Sequence, residues 1–194
     1  MRAIERGDDM VFTQMIELRG SRPVPRMPYE ITPEDMGWHL LLTNPVCHPT
    51  MLATREIMDR VGGYRSVPAE DYDLWMRVAS AGGRIRRIAP WGLLYRIHPG
   101  QVTGNASWRS DSWKNPEQAQ AFADLSVSLT GEALPRLVSL VSLPRDEAER
   151  ELDRFVQVYT QGVASRPATS RRALERRLNA RAAWVRSHIQ GEQS

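Results

Sequence analysis

The chain has 194 residues, of which 41% are hydrophobic and 25% are charged, and it carries a formal net charge of +3. This composition is that of a globular protein and excludes wholesale disorder, and its longest apolar stretches fall far short of the roughly 18 residues that a membrane-spanning helix needs. The single cysteine, Cys47, excludes an internal disulfide framework and a cysteine-rich metal site, so we expect a reducing, cytoplasmic compartment.

The first part of the chain predicts an alternation of strands and helices. Apolar residues that alternate with others over 10–18 indicate a strand that ends at Gly20. The three prolines within 22–29 indicate an extended segment or a loop. Thr32, followed by a proline and two acidic residues, is typical of a helix start, and this helix is predicted to run to about Leu42.

The same alternation continues after this helix. A short strand is predicted over 50–53, followed by a helix that Thr54 caps and that ends at the glycine pair after Val61. Apolar residues at helical spacing predict another helix within 68–81, again closed by two glycines. Two more strands, separated by a Pro-Trp dipeptide, are predicted at 84–89 and 92–97.

The remainder of the chain predicts helices only. Asn115, with a proline and an acidic residue after it, is a typical helix start, and Gly131 is a typical stop. Periodic apolar residues predict further helices at 134–143, 145–159 and 168–189. We therefore predict two units: a mixed α/β region over 1–105 and a helical extension over 106–194.

The most informative segment is the run Glu70-Asp-Tyr-Asp-Leu-Trp-Met-Arg77. It places carboxylates in the first turn of a helix, where free backbone N–H groups and the helix dipole favour the ionised form. A carboxylate held there and facing a pocket can act as a general base. The structural alternative, which is the commoner role for acids at a helix start, is that they only cap the helix, with Arg77 pairing to Asp73 one turn earlier.

Two further clusters could carry chemistry. Leu94, Arg96 and His98 share one face of a predicted strand, so a cation and an imidazole converge near its end, an arrangement that suits a diphosphate or a metal-bound phosphate. The structural alternative for this histidine is an ordinary hydrogen-bonded side chain. In the loop 44–50, His48 lies between two prolines, and there the alternative is a rigid turn.

Taken in order, four blocks of the sequence resemble the C-terminal half of family 2 glycosyltransferases of the GT-A fold. The blocks are Asn44-Pro-Val-Cys-His-Pro-Thr50, Val61-Gly-Gly-Tyr64, Glu70-Asp-Tyr-Asp-Leu-Trp-Met-Arg77 and Tyr95-Arg-Ile-His98. The resemblance is best over about 41–105 and weaker over 8–40. It implies an α/β fold, namely the acceptor-side half of a GT-A (Rossmann-like) domain, followed by an α-helical tail like the C-terminal extensions of such enzymes.

The resemblance also implies roles for individual residues. Asp71 would be the base that deprotonates an acceptor hydroxyl, which then displaces the nucleoside diphosphate of a nucleotide-sugar donor and inverts the anomeric carbon. Glu70 would orient the acceptor or the base. His98 falls where family members place a metal or diphosphate contact, and Mn²⁺ or Mg²⁺ is the metal expected for the complete enzyme. The expected substrate-binding residues are His48, Trp75 and Arg96, with the tryptophan as a wall of the core or of the acceptor pocket.

The family pattern is incomplete in this sequence. A nucleotide-binding half built of β/α units needs on the order of 90 residues at roughly 30 per unit, whereas 43 residues precede Asn44. There is no glycine-rich phosphate loop, and the Asp8-Asp9 pair lacks the preceding strand that would present it as the Asp-X-Asp metal motif. We therefore expect the donor-binding half to be missing, this chain to have little activity alone, and a separate chain to be a possible source of that half.

Three other functions compete with a truncated glycosyltransferase. One is a non-catalytic interaction module derived from such an enzyme. Another is peripheral contact of the basic helix at 168–189 with an anionic membrane surface. Nucleic-acid binding through the seven arginines of 165–194 is disfavoured, because Trp184 is the one aromatic residue among them and a solvated arginine face explains the pattern.

Overall fold

The computed structural model describes residues 4, 6–25, 29–98 and 111–191, with side chains as far as 189. The strands are β1 (Met10–Arg19), β2 (Arg22–Pro25), β3 (Leu52–Ala53) and β4 (Ile85–Ile97). The helices are α1 (Pro33–Leu40), α2 (Arg55–Val61), α3 (Glu70–Ser80), α4 (Pro116–Thr130), α5 (Arg145–Val163) and α6 (Ala168–Gly191). The fold is mixed α/β, as the sequence predicts. The boundary proposed between 105 and 106 lies outside the described residues.

The sheet is built around β1. On one side, β1 pairs antiparallel with β2 near its end and with β3 near its start; on the other side it pairs in parallel with β4. A tight turn through Gly20, whose φ of 61° suits glycine, joins β1 to β2. The segment predicted as extended or loop therefore begins with a strand.

The two strands predicted at 84–89 and 92–97 form the single strand β4, so the predicted break at Pro90 is wrong. Opposite β1, the register jumps from Phe12↔Arg87 to Gln14↔Trp91. Pro90 falls in this irregular stretch, where its missing N–H removes no hydrogen bond of the ladder. Gly92 then allows close approach to Thr13, with which any larger residue would overlap.

Local signals placed most helix ends correctly. The Thr54 hydroxyl accepts a hydrogen bond from the backbone N–H of Ile57, and Asn115 caps α4 in the same way. Thr32 occupies the N-cap position of α1 without a side-chain capping bond. The helix predicted at 134–143 is a 3-10 helix over Leu137–Ser142.

A single hydrophobic core joins the sheet to the helices of both predicted units. Phe12 of β1 packs edge-on against Trp75 of α3, with 4.9 Å between the ring centroids. Trp38 of α1 packs against Tyr159 of α5, whose hydroxyl donates to the Trp38 carbonyl at 3.0 Å. The apolar residues that the sequence aligns on the last helix are all buried in this core: Leu174, Leu178, Ala182, Val185 and Ile189.

Two further features bear on partners. Among the described residues, no helix combines the length and the apolar character needed to cross a membrane. One edge of β4 pairs with β1. In the described ranges, the other edge makes one strand-like contact, an isolated antiparallel bridge between Arg87 and Ile31. Beyond it, three large apolar side chains of β4 are exposed: Trp91, Leu94 and Ile97.

Candidate functional site

The start of α3 is set by an unusual turn. Ala69 has a φ of 53°, in the left-handed region that costs a residue with a Cβ roughly 1–2 kcal/mol. Gln118 of α4 holds this turn, because its side-chain amide donates to the backbone carbonyls of Pro68 and Ala69. Its Oε1 accepts from Arg136 Nη1 at 2.8 Å, and Gln118 is itself fully buried. The helical region therefore helps to fix the direction in which α3 begins.

Asp71, in the first turn of α3, is half-buried and has no cationic partner within the described residues. Its Oδ1 accepts from the backbone N–H of Tyr72 at 2.6 Å, and its Oδ2 accepts from Asn44 Nδ2 at 3.3 Å. Burial raises the pKa of the Asp71 carboxyl above its ordinary value, and Glu70 adds to the increase; the Tyr72 N–H, His48 and Asn44 act in the opposite direction. The carboxylate is thus oriented by hydrogen bonds but not neutralised.

Asp73 lies two residues further along α3 and has a different environment. It is fully buried, and its oxygens accept from Arg65 at 2.6 and 3.0 Å and from Arg77 at 2.8 Å. Arg77 also donates to the carbonyls of Val61 and Gly63, so the cluster ties α3 to the turn after α2. The predicted pair of Arg77 with Asp73 is confirmed, and the function of Asp73 is structural.

A cavity of ≈ 300 Å³ opens beside Asp71. Asn44 and Tyr72 form one part of its wall, and Arg136 and Arg181 lie in the part contributed by the helical region. The helical pattern predicted that Arg181 lies on a solvated face, and this is wrong. Arg181 is half-buried, and its Cζ lies over the Trp184 ring, 4.3 Å from the centroid. The site is therefore a carboxylate at the edge of a cavity that also presents guanidinium groups.

His48, in the 3-10 turn over His48–Thr50, lies close to the Asp71 region. Its Nε2 forms a 2.7 Å hydrogen bond with the Tyr64 hydroxyl, and its ring lies 5.7 Å from that of Trp75. Burial raises the pKa of the Tyr64 phenol, and Asp71 and Glu70 raise it further. Burial, assisted by Asp71, also raises the pKa of the Cys47 thiol to about 11, so this thiol is protonated at pH 7 and is not a nucleophile.

The other predicted site residues lie in varied surroundings. Glu70 is exposed, and its side chain makes no hydrogen bond or ion pair with any described residue. Trp75 is fully buried, with its indole Nε1 unpartnered, so it can support the site only from within the core. Arg96 is exposed on β4 and donates to the Gly20 carbonyl at 3.4 Å.

Arg96 and His98 are not brought to the Asp71 cavity. Arg96 pairs with Leu18 in the sheet, whereas the turn that holds His48 contacts β1 at Thr13. At about 3.3 Å per residue, these two points on β1 are roughly 17 Å apart. His98 is exposed just beyond the end of β4.

The metal contact expected at His98 stays a prediction. No group of three His, Cys, Asp or Glu side chains in these ranges is placed to hold an ion. The Asp8 carboxylate, which belongs to the Asp8-Asp9 pair, is buried and bonded to Arg86 at 2.6 Å, with Arg84 at 3.5 Å. Asp8 therefore serves as the counter-charge of these arginines and is a poor candidate for a metal ligand.

Comparisons of the chain with protein-family models, with curated proteins and with solved structures found no match. Function is consequently inferred from the geometry of the site. The sequence did not place Gln118, Arg136 or Arg181 at this site, because each reaches it from the helical region across a long sequence separation. Asn44 was part of a recognised block, and its contact with Asp71 is what the structure adds.

Proposed function

We propose that this chain is the acceptor-side part of an inverting glycosyltransferase in which Asp71 is the general base. The Asp71 carboxylate would take the proton of an acceptor hydroxyl. The hydroxyl oxygen would attack the anomeric carbon of a nucleotide sugar, and the nucleoside diphosphate would leave. The observation that carries the proposal is a half-buried carboxylate that faces a cavity and has no cationic partner in the described part of the chain.

The environment of Asp71 supports this role. A carboxylate is a stronger base when desolvation raises its pKa, and burial has that effect on Asp71. Asn44 orients the carboxylate without adding a charge; its hydrogen bond lowers the pKa of Asp71, but burial has the larger, opposite effect. Asp73, the neighbouring acid on the same helix, fits the role poorly because two arginines bind its oxygens.

We further propose that the sheet is the acceptor-side part of a GT-A fold and that another chain supplies the donor-binding half. The open side of β4, with Leu94 55% exposed and Trp91 46% exposed, supports this proposal. Such a strand edge is normally covered or blunted in a stable protein. A divalent metal, with His98 as a ligand, would belong to that assembled enzyme.

We also propose, as a secondary function, that α6 contacts an anionic membrane surface. Its apolar side chains are buried in the core, so the contact would use exposed arginines such as Arg172 and Arg176. Arg166 and Arg186 are engaged in ion pairs with Asp35 and Asp153.

The test is sugar transfer by the purified chain from a panel of UDP-, GDP- and dTDP-sugars with Mn²⁺ or Mg²⁺ and hydroxyl acceptors. We expect slow transfer that Asp71→Asn lowers by at least about 100-fold, while Glu70→Gln has a smaller effect. Equal transfer by Asp71→Asn would contradict the role of Asp71. Absence of both transfer and thermal stabilisation by any donor would contradict slow transfer by this chain on its own and favour the non-catalytic interaction module.

A further inference from the structure

Four arginines that are buried or half-buried lack a carboxylate partner within the described ranges; they are Arg87, Arg136, Arg177 and Arg181. Other arginines that are not exposed lie within 4.0 Å of an acidic group, as in the pairs Arg65–Asp73 and Arg86–Asp8. A buried cation without a counter-charge is costly, because desolvation is not offset by an ion pair. These positions therefore point to a negative charge that comes from outside the chain.

Two of the four arginines meet at one side chain. The Arg87 guanidinium lies over the Tyr29 ring, with its Cζ 4.3 Å from the centroid, and Arg177 Nη1 donates to the Tyr29 hydroxyl at 2.7 Å. Arg87 is only 8% exposed and donates to the Pro45 carbonyl at 2.6 Å, but its Nε–H has no partner among the described residues. Strand β4 and helix α6 thus hold two guanidinium groups beside the same tyrosine.

These two guanidinium groups line a cavity of ≈ 340 Å³. Its other polar walls are formed by Thr13, Gln14, Thr43 and Asn44, and no Asp or Glu of the described chain lines it. Thr43 and Asn44 also line the cavity beside Asp71, so the two cavities share this dipeptide as part of their walls. The volume is at the lower end of the roughly 300–1,000 Å³ of small-molecule sites, which favours a compact ligand over a polymer.

The positive charge of Arg87 and Arg177 also shifts the pKa of two neighbouring groups. Burial works to raise the pKa of the Tyr29 phenol, but Arg87 and Arg177 outweigh it and hold this pKa below its ordinary value. Burial, with repulsion from Arg177 and Arg87, lowers the pKa of His39 to about 3, so this histidine is neutral at pH 7 and adds no further charge.

We propose that this cavity binds a phosphate or diphosphate group, with Arg87 and Arg177 as its two cationic ligands. A dianion matches two guanidinium groups in charge, and guanidinium binds phosphate through paired N–H donors. Within the described residues the Nε–H of Arg87 has no partner, so the protein does not saturate this guanidinium group. The inference stands apart from the transferase proposal, because the ligands named here are not the groups assigned to that chemistry.

Isothermal titration of the full chain with inorganic pyrophosphate, and separately with inorganic phosphate, tests the proposal. We expect saturable binding that weakens as salt is raised and that Arg177→Gln weakens by at least about tenfold. Arg176→Gln is the matched control, since this exposed neighbour on α6 removes the same charge outside the cavity. Arg87→Gln provides a second variant if circular dichroism shows that it folds.

Three results would overturn the proposal: no saturable binding of either probe, equal weakening by Arg177→Gln and Arg176→Gln, or equally strong competition by acetate. Equal weakening by the two variants would mean that the anions are attracted diffusely to α6. Equally strong competition by acetate would mean that the site accepts any monoanion. Titration with UDP distinguishes a nucleotide source of the phosphate from a simpler one, since a nucleotide ligand binds more tightly than pyrophosphate. Asp71→Asn should bind pyrophosphate as the wild type does, so failure of the base assignment and failure of this site can be told apart.

Discussion

Asp71 and Asp73 lie two residues apart on α3, yet their surroundings are opposite. Residues i and i+2 of a helix point to different sides, so Asp73 enters the core and meets two arginines while Asp71 faces a cavity and meets hydrogen-bond donors that carry no charge. The comparison shows that acids in one helical turn can have distinct functions. It separates a carboxylate that stabilises the fold from one that is available for chemistry.

The arginines show the same division. Arg65 and Arg77 surround a buried carboxylate and join α3 to the preceding turn. Arg87 and Arg177 surround an uncharged tyrosine and face a cavity. Where charge is balanced within the described chain, the role is structural, and where it is not, a ligand is the simplest source of the balance.

The largest expected effect is at the structural carboxylate. Asp73→Asn leaves Arg65 and Arg77 without a buried counter-charge, and we expect the free energy of unfolding to fall by about 3–5 kcal/mol. Urea denaturation followed by circular dichroism measures this change. Asp153→Asn is the matched control, because it breaks an exposed pair with Arg186 and should cost less than about 1 kcal/mol. Equal effects of the two substitutions would remove the contrast.

A smaller loss is expected at the contact that orients α3. Gln118→Leu removes the donors to the Pro68 and Ala69 carbonyls and one acceptor for Arg136, and should destabilise the fold by about 2–3 kcal/mol. Gln120→Leu, on the exposed face of the same helix, should change stability by less than about 0.5 kcal/mol. Thermal unfolding measures both. If Gln118→Leu left the stability unchanged, the left-handed turn at Ala69 would not depend on α4.

The features that the sequence predicted correctly are mostly local. The cap at Thr54, the cap at Asn115 and the alternation over β1 depend on residues within one turn or one strand. The continuity of β4 depends on its register against β1, which lies more than 70 residues away, and the proline alone suggested a break. Recognition of Asp71 came from a local motif, whereas its contact with Asn44 depends on the tertiary fold.

The second cavity lay beyond sequence analysis for the same reason. Arg87 was part of a predicted strand and Arg177 part of a predicted solvated helix face, and nothing in either segment indicates that they meet at Tyr29. The pairing of Arg65 with Asp73 was also missed, because Arg65 lies in a connection with no regular periodicity. Residues that act across elements become visible only when the elements are packed.

The smallest change in stability, and one of opposite sign, is expected at Asp71. Because burial raises the pKa of Asp71 in the folded state above its unfolded value, ionisation disfavours folding. The contribution of the protonated Asp71 carboxyl to the free energy of unfolding is fully present below the unfolded-state pKa of roughly 3.9. It is lost as pH rises through the folded-state pKa. Asp71→Asn should therefore be at least as stable as the wild type at pH 7, in contrast to Asp73→Asn, and urea denaturation of both variants measures the difference.

The central claim, that Asp71 is a desolvated base and not a paired structural acid, is tested most directly by NMR titration of its carboxyl carbon, assigned by comparison with Asp71→Asn. We predict a pKa above that of an unperturbed aspartate, because burial outweighs the hydrogen bonds from Tyr72 and Asn44. A pKa below that of an unperturbed aspartate would mean that Asp71 is stabilised as an ion like a salt-bridged acid, and would contradict the claim.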